Sequence, residues 1–204
     1  MGMFTTHRTI TAVLFLATFP LGAQECHTLQ AASLEQTALY LNSHPDRQQD
    51  APCIRFAIGR LGEQRYEPAI PVLTRFLDFR WPVGAHQKQA RIVLDRDKVT
   101  IYPASDALEK FGQDALPAVL TAMEARSTSQ VGLEVAVSVW MTLHRDNAPL
   151  GVSLLKQEAN SASDPFSRQQ LISATYLAAA GWCDRSEQAQ CNAVLQAKPS
   201  KQNH

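Results

Sequence analysis

This chain is short of the features that usually announce a chemistry. It has no HExxH, no GxSxG and no pair of histidines spaced i, i+4. The common zinc-hydrolase and serine-hydrolase signatures are therefore missing. Among the histidines past the first segment, His27, His44, His86, His144 and His204 are scattered. The acids Asp95 and Asp97, and Asp184 and Glu187, are too few for a calcium loop and read as solvated turns. "HRDN", His144 to Asn147, shares the order of a kinase catalytic loop but has neither its glycine-rich loop nor its lysine strand, so it reads as a turn and helix cap. No metal and no cofactor is expected. Charge of one sign is lacking too, with 19 Lys+Arg against 19 Asp+Glu, which removes the electrostatic case for nucleic acid or an anionic membrane as partner. Asn-X-Ser/Thr acceptors and CxxC pairs are absent, the latter leaving redox and zinc roles without their usual spacing.

One long apolar run exists, from Ile10 to Phe19. It follows Arg8 and precedes Pro20 and the small pair Gly22-Ala23, which is the order of a secretory signal. At about ten residues it is half the roughly 20 that a spanning helix needs. Residues 1–23 are therefore expected to be an export signal cleaved after Ala23, leaving a repeat domain over 24–198 and a disordered tail over 199–204. The product belongs in the periplasm or outside the cell, with no membrane insertion after cleavage. All 4 cysteines, Cys26, Cys53, Cys183 and Cys191, lie beyond that point, and an even count in an exported chain reads as disulfides.

Prolines and glycines then cut the chain into short helices. Pro52, Pro68, Pro103, Pro117, Pro149 and Pro165 each open an apolar segment of helical period, where a missing N–H costs nothing. Asp50, Asn147 and Asp164 stand as caps just ahead of three of them. The segments pair into hairpins. The first has Ile54, Ala57, Ile58 and Leu61 on one stripe, with Gly62 as its stop, followed by a second limb from Pro68 to Phe79 carrying Ile70, Leu73, Phe76 and Leu77. The second sets Ala104, Ala107, Leu108 and Phe111 before Gly112, then Leu116, Val119, Leu120 and Met123. A less regular third spans Val135 to Leu155, with Trp140 on its apolar stripe. A fourth follows Asp164, and a helix over Ser33–Leu41 covers one end. Neither limb hides its stripe alone, and stacked hairpins do.

"AIGRLGEQRYEPAIPVLTRFL" and "ALEKFGQDALPAVLTAM" resemble HEAT repeats of the bacterial HEAT-like kind, over Ala57–Leu77 and Ala107–Met123. Met141 stands near the usual glycine in the third unit, and the fourth departs furthest. The resemblance implies an all-α, armadillo-type fold: a short right-handed α-solenoid of about four hairpins. The connection 80–102 exceeds an ordinary loop and reads as an insertion, either a helix from His86 or a β-hairpin of "RIVL" with "VTIY". In a stack of this kind the two ends lie tens of Å apart, beyond the roughly 7 Å that a disulfide bridges, so the expected pairs are Cys26–Cys53 and Cys183–Cys191. The chain-entropy model assigns about 3.6 and about 2.6 kcal/mol to these loops.

A HEAT-like fold carries no chemistry by itself. It implies that the second limbs line a concave face, where Arg75, Asp78, Thr121, Glu124 and Lys156 are the polar positions. Arg80 and Trp81 join them at the rim, since arginine and tryptophan are enriched at binding hot spots. The expectation is a monomeric, non-catalytic interaction module or scaffold with a protein partner. The alternatives are a cofactor-handling, lyase-like enzyme of the same repeat family and a structural part of an envelope assembly.

Overall fold

A computed structural model describes residues 22–81 and 102–197, with side chains from Cys26 onward. Residues 1–21, 82–101 and 198–204 fall outside the described residues. The choice between helix and β-hairpin in the insertion, His86, Asp95, Asp97 and the tail fall there with them. The regular structure of the described residues is all helical, without a strand. In chain order they form α1 (Gly22–Ala31), α2 (Leu34–Asn42), α3 (Ala51–Glu63), α4 (Ile70–Leu73), α5 (Pro103–Phe111), α6 (Leu116–Glu124), α7 (Gln130–Leu143), α8 (Ala148–Ser161), α9 (Pro165–Trp182) and α10 (Gln188–Gln196).

Four of the ten described helices start on a side-chain cap. Ser33 and Gln36 form a reciprocal capping box on α2, with Ser33 Oγ accepting from Gln36 N–H at 3.1 Å and Gln36 Oε1 accepting from Ser33 N–H at 2.9 Å. Asn147 and Asp164 accept from the backbone of Leu150 and Ser167, and Ser129 does the same for Gly132 at the start of α7. Asp50 departs from expectation. It precedes α3, but its carboxylate accepts from Asp46 N–H at 2.8 Å instead of capping the helix.

Two further expectations are corrected. Gly62 does not end the first limb, because α3 runs through it to Glu63 and turns at Arg65, whose φ is +46°. Gly62 is instead a packing residue: a Cβ placed there would meet Cα and Cβ of Ala107 at 2.7 Å. Gly112 behaves as expected, ending α5 at φ +64°. The second correction concerns Pro68–Phe79, which is not one helix. It is a 3-10 turn over Glu67–Ala69, the single turn α4, and a 3-10 turn over Thr74–Phe76. Pro71 accounts for the first change of pitch, since it lacks the N–H that would bond to Glu67 and its ring crowds that carbonyl. The apolar stripe survives: Ile70, Leu73, Phe76 and Leu77 are all buried.

The first limbs pack in chain order, α3 on α5, α5 on α7 and α7 on α9, and α10 lies on α8. A single apolar core runs through them from Leu29 to Cys191. Within it Trp140 is buried and its Nε1 donates to Gly151 O at 3.0 Å, while Trp182 packs partly buried beside Cys183. One contact reaches past the neighbouring hairpin, for α6 packs on α9 as well as on α7. Arg126, just past α6, pairs with Asp164 at 3.3 Å and stacks over Phe166 at 4.7 Å.

Both ends are tied. Cys26–Cys53 joins α1 to α3 and Cys183–Cys191 joins the end of α9 to α10, as expected. The Arg60 guanidinium adds a second tie at the first end. It donates to the carbonyls of Leu29 and Ala32, the latter at 2.6 Å, and so satisfies groups that the end of α1 leaves open.

Two glycines three residues apart in α3 should respond oppositely to alanine. Gly62→Ala pushes α3 off α5 and is expected to cost about 1–3 kcal/mol, the usual range for overpacking. A methyl added at Gly59 would have nothing within 4 Å of it, so Gly59→Ala should be neutral or stabilise by up to about 1 kcal/mol through helix propensity. Urea unfolding of both variants measures this, and coincident midpoints would contradict the packing role of Gly62.

Candidate functional site

A polar cleft of about 300 Å³ opens where the second limb of the first hairpin meets the end of α6 and the start of α7. Its floor follows from burial on either side of two polar residues. Phe76, Leu77 and Phe79 turn into the core, which leaves Arg75 exposed and Asp78 at the surface between them. From α6 come Thr121 and Ala122, from the following turn Ser127, Thr128 and Ser129, and from α7 Gly132. Arg47 closes the cleft from the loop between α2 and α3.

Asp78 is the hub. One carboxylate oxygen accepts from Arg47 Nη1 at 2.6 Å and the other from Ser129 Oγ at 2.9 Å. Arg47 also donates to Arg75 O at 2.7 Å and lies over the Phe76 ring, 5.3 Å from its centroid. Arg75 in turn donates to Asn42 Oδ1 at 2.7 Å. The loop that carries Arg47 holds itself in shape: Asp46 Oδ1 accepts from Gln48 N–H and Gln49 N–H, both at 2.8 Å. Those backbone bonds, Gln49 first, hold the Asp46 carboxyl below the ordinary aspartate range. Ser129 serves Asp78 as donor and α7 as acceptor at once, so its single donor proton is spent.

Of the expected partner-contact residues, Arg75, Asp78 and Thr121 therefore come together in one cleft. The others lie elsewhere. Trp81 is half-buried beneath the Arg55 guanidinium, 5.5 Å from the ring centroid. Arg80 lies close enough to Tyr102 for its charge to oppose the burial that raises that phenol's pKa. Lys156 is occupied by the fold, donating to the carbonyls of Val194, Leu195 and Ala197, the last two at 2.8 and 2.6 Å, and so capping the end of α10. Glu124 closes α6, where its carbonyl accepts from Ser167 Oγ at 3.4 Å. Burial, and then the charge of Glu158, raise its carboxyl above the ordinary glutamate range.

Sequence reasoning missed Arg47, Ser129 and the hydroxyls of Thr74, Ser127 and Thr128. Arg47 sits in a polar loop with no periodicity to orient it, and its partner Asp78 is 31 residues on. A second, wider hollow of about 460 Å³ lies between α5 and the end of α7, lined by Asp106, Glu109, Lys110, Arg145 and Asp146 among others. Among the described residues no three His, Cys, Asp or Glu side chains gather closely enough to hold a metal ion. No described helix is long and apolar enough to cross a membrane. No protein-family model matches the chain, and no curated protein or solved structure is significantly similar to it.

The Asp78 hub and the Glu124 carboxyl can each be tested by one substitution. Asp78→Ala releases Arg47 and Ser129 together. The ion pair is worth little in itself, because Arg47 and Asp78 keep 46% and 29% of their side-chain surface, so the global loss should be about 1 kcal/mol or less. The sharper readout is hydrogen exchange over residues 46–50, which should accelerate; unchanged protection would show that Asp78 does not hold the loop. Glu124 gives a pH signature. A carboxyl whose pKa is raised in the fold keeps its proton more tightly there than in the unfolded chain. The associated stability is complete below the unfolded pKa and is lost as pH rises through the folded one. Glu124→Gln should therefore stabilise at neutral pH and have no such effect below the carboxylate range, as thermal unfolding at both conditions would report.

Proposed function

We propose that this chain is a HEAT-like repeat protein of an oxidising, exported compartment, that it works without catalysis, and that it binds a protein partner across the Asp78 cleft. One observation carries the reading. Arg75 and Asp78 belong to the second limb of the first hairpin and Thr121 to that of the second, and all three line the same cleft. Second limbs meeting side by side are what a stacked-hairpin architecture offers as its inner face. The ordered succession of α3, α5, α7 and α9 supports the same architecture, and the two disulfides fit an oxidising environment. The α6–α9 contact makes this a short, closed version of such a stack, with the fourth hairpin folded back toward the second.

The cleft also has the composition of a binding surface rather than of a reacting centre. Hydroxyls, two guanidiniums and small apolar residues line it, and its one carboxylate is engaged on both oxygens. Such a surface offers directional hydrogen bonds held in place beforehand, which lowers the ordering cost of association.

Photo-crosslinking in the cells that export the protein tests this. A benzophenone side chain at Thr121, which is exposed in the cleft, should give a discrete adduct with a partner protein. The same group at Gln190, exposed on α10, should not. Arg75→Glu should abolish the Thr121 adduct while the far-ultraviolet circular dichroism stays helical. Identical adducts from both positions, or none from Thr121, would contradict the assignment of the cleft.

A further inference from the structure

The charge and hydrogen-bond state of the cleft specify what part of a partner it takes. We infer that the cleft receives a single acidic side chain, Asp or Glu, of the partner protein and holds it between Arg47 and Arg75. The inference rests on the protein-binding reading above and adds the chemistry of recognition to it.

The first support is charge. Two arginines and one aspartate line the cleft, which leaves one positive charge, and no second acid or lysine is among the lining residues. One positive charge matches a carboxylate. A phosphate group carries nearly two negative charges at neutral pH and would leave the cleft over-neutralised. The second support is the direction of the unsatisfied capacity. Each oxygen of Asp78 already accepts one bond, from Arg47 and Ser129, so half of its roughly four acceptor sites are taken and an arginine already faces its charge. Arginine, by contrast, carries five N–H donors. Arg75 is exposed and uses Nη1 on Asn42, while Arg47 uses Nη1 on Asp78 and Nη2 on a carbonyl. Donor capacity therefore exceeds acceptor capacity at this surface and resides in the two guanidiniums, since the Thr74, Thr121 and Thr128 hydroxyls already donate to the carbonyls of Pro71, Pro117 and Ala122.

The third support is preorganisation. Arg47 is pinned by a carboxylate, a carbonyl and the Phe76 ring, and Arg75 by Asn42 Oδ1. Arginine ordinarily loses much side-chain freedom when it engages a ligand, and here neighbours have restricted it in advance. A guanidinium fork fits a planar carboxylate with two parallel bonds. The volume of about 300 Å³ is at the low end of small-ligand pockets, enough for one side chain and not for a folded element.

Selection of a random peptide library on the full chain tests the inference. Recovered peptides should be enriched in Asp or Glu at one position. Replacing that residue by Asn or Gln in the synthetic peptide should weaken binding about ten- to a hundredfold, the range for a charge-assisted hydrogen bond. Arg75→Gln, an exposed change that leaves Arg47 and Asp78 paired, should weaken the acidic peptide to the same extent and the amide peptide hardly at all. Arg75→Lys should recover part of the loss. Peptides without an acid preference, an absence of any selected peptide, or equal affinities for wild type and Arg75→Gln would overturn the inference. A partner crosslinked from Thr121 but indifferent to Arg75→Gln would overturn it too and leave the protein-binding reading intact. Loss of the Thr121 adduct altogether is the separate failure of that reading.

Discussion

The contact between Gly62 and Ala107 sets how closely α3 and α5 lie, and the first half of the molecule is built on that distance. Only a residue without a Cβ allows it, since a methyl at position 62 would stand 2.7 Å from the Ala107 backbone. Each helix here is short and has an apolar stripe that it cannot cover by itself. Isolated helices of such length are marginal in water, so their stability comes from burying the stripe against neighbours. Leu61, Leu108, Met123, Leu155 and Leu171 are all fully buried, one from each of α3, α5, α6, α8 and α9, and they belong to one continuous core. A second close approach repeats the device further along, where Gly151 lies against His144 and Met141.

The candidate cleft depends on this frame without being part of its core. Burial of Phe76, Leu77 and Phe79 decides which way Arg75 and Asp78 face. Packing of the broken segment around α4 against α6 brings Thr121 beside them, and α6 leads directly into the turn that supplies Ser129. Asp78 then joins three parts of the chain that no helix connects: the loop before α3, the end of the first hairpin and the start of α7. Its position explains how a weak, half-exposed ion pair can matter more for the shape of the surface than for the stability of the fold.

Much of the fold was legible in the sequence because it rests on local chemistry. The prolines at helix starts, the capping residues Asn147 and Asp164, the stop at Gly112 and the apolar stripes each express a rule that operates within one or two helical turns. The failures are instructive for the same reason. Gly62 has the local look of a helix stop, but a tertiary neighbour, Ala107, gives it a different task. Asp50 has the look of a cap, yet its own loop claims the carboxylate. Pro71 carried a local warning that the stripe of Ile70, Leu73 and Leu77 concealed: a regular apolar period does not require a regular helix.

The site was less legible. Arg75, Asp78 and Thr121 were expected on one face because the HEAT resemblance implies that second limbs line it, counting their polar positions, and these three do share a cleft. Lys156 met the same count and still serves the end of α10, since nothing local reports what a long side chain will reach across a groove. Arg47 and Ser129 come from segments without period, and their meeting at Asp78 spans 31 and 51 residues of chain. By itself, then, the sequence determined the helical class and the places where most helices begin, consequences of short-range sterics and hydrogen bonding, while the cysteine pairing followed from the span that a stack of hairpins implies. Only the tertiary structure decided where the helices touch and which polar side chains share a cleft, because packing between distant segments selects among side-chain partners that local rules leave equivalent.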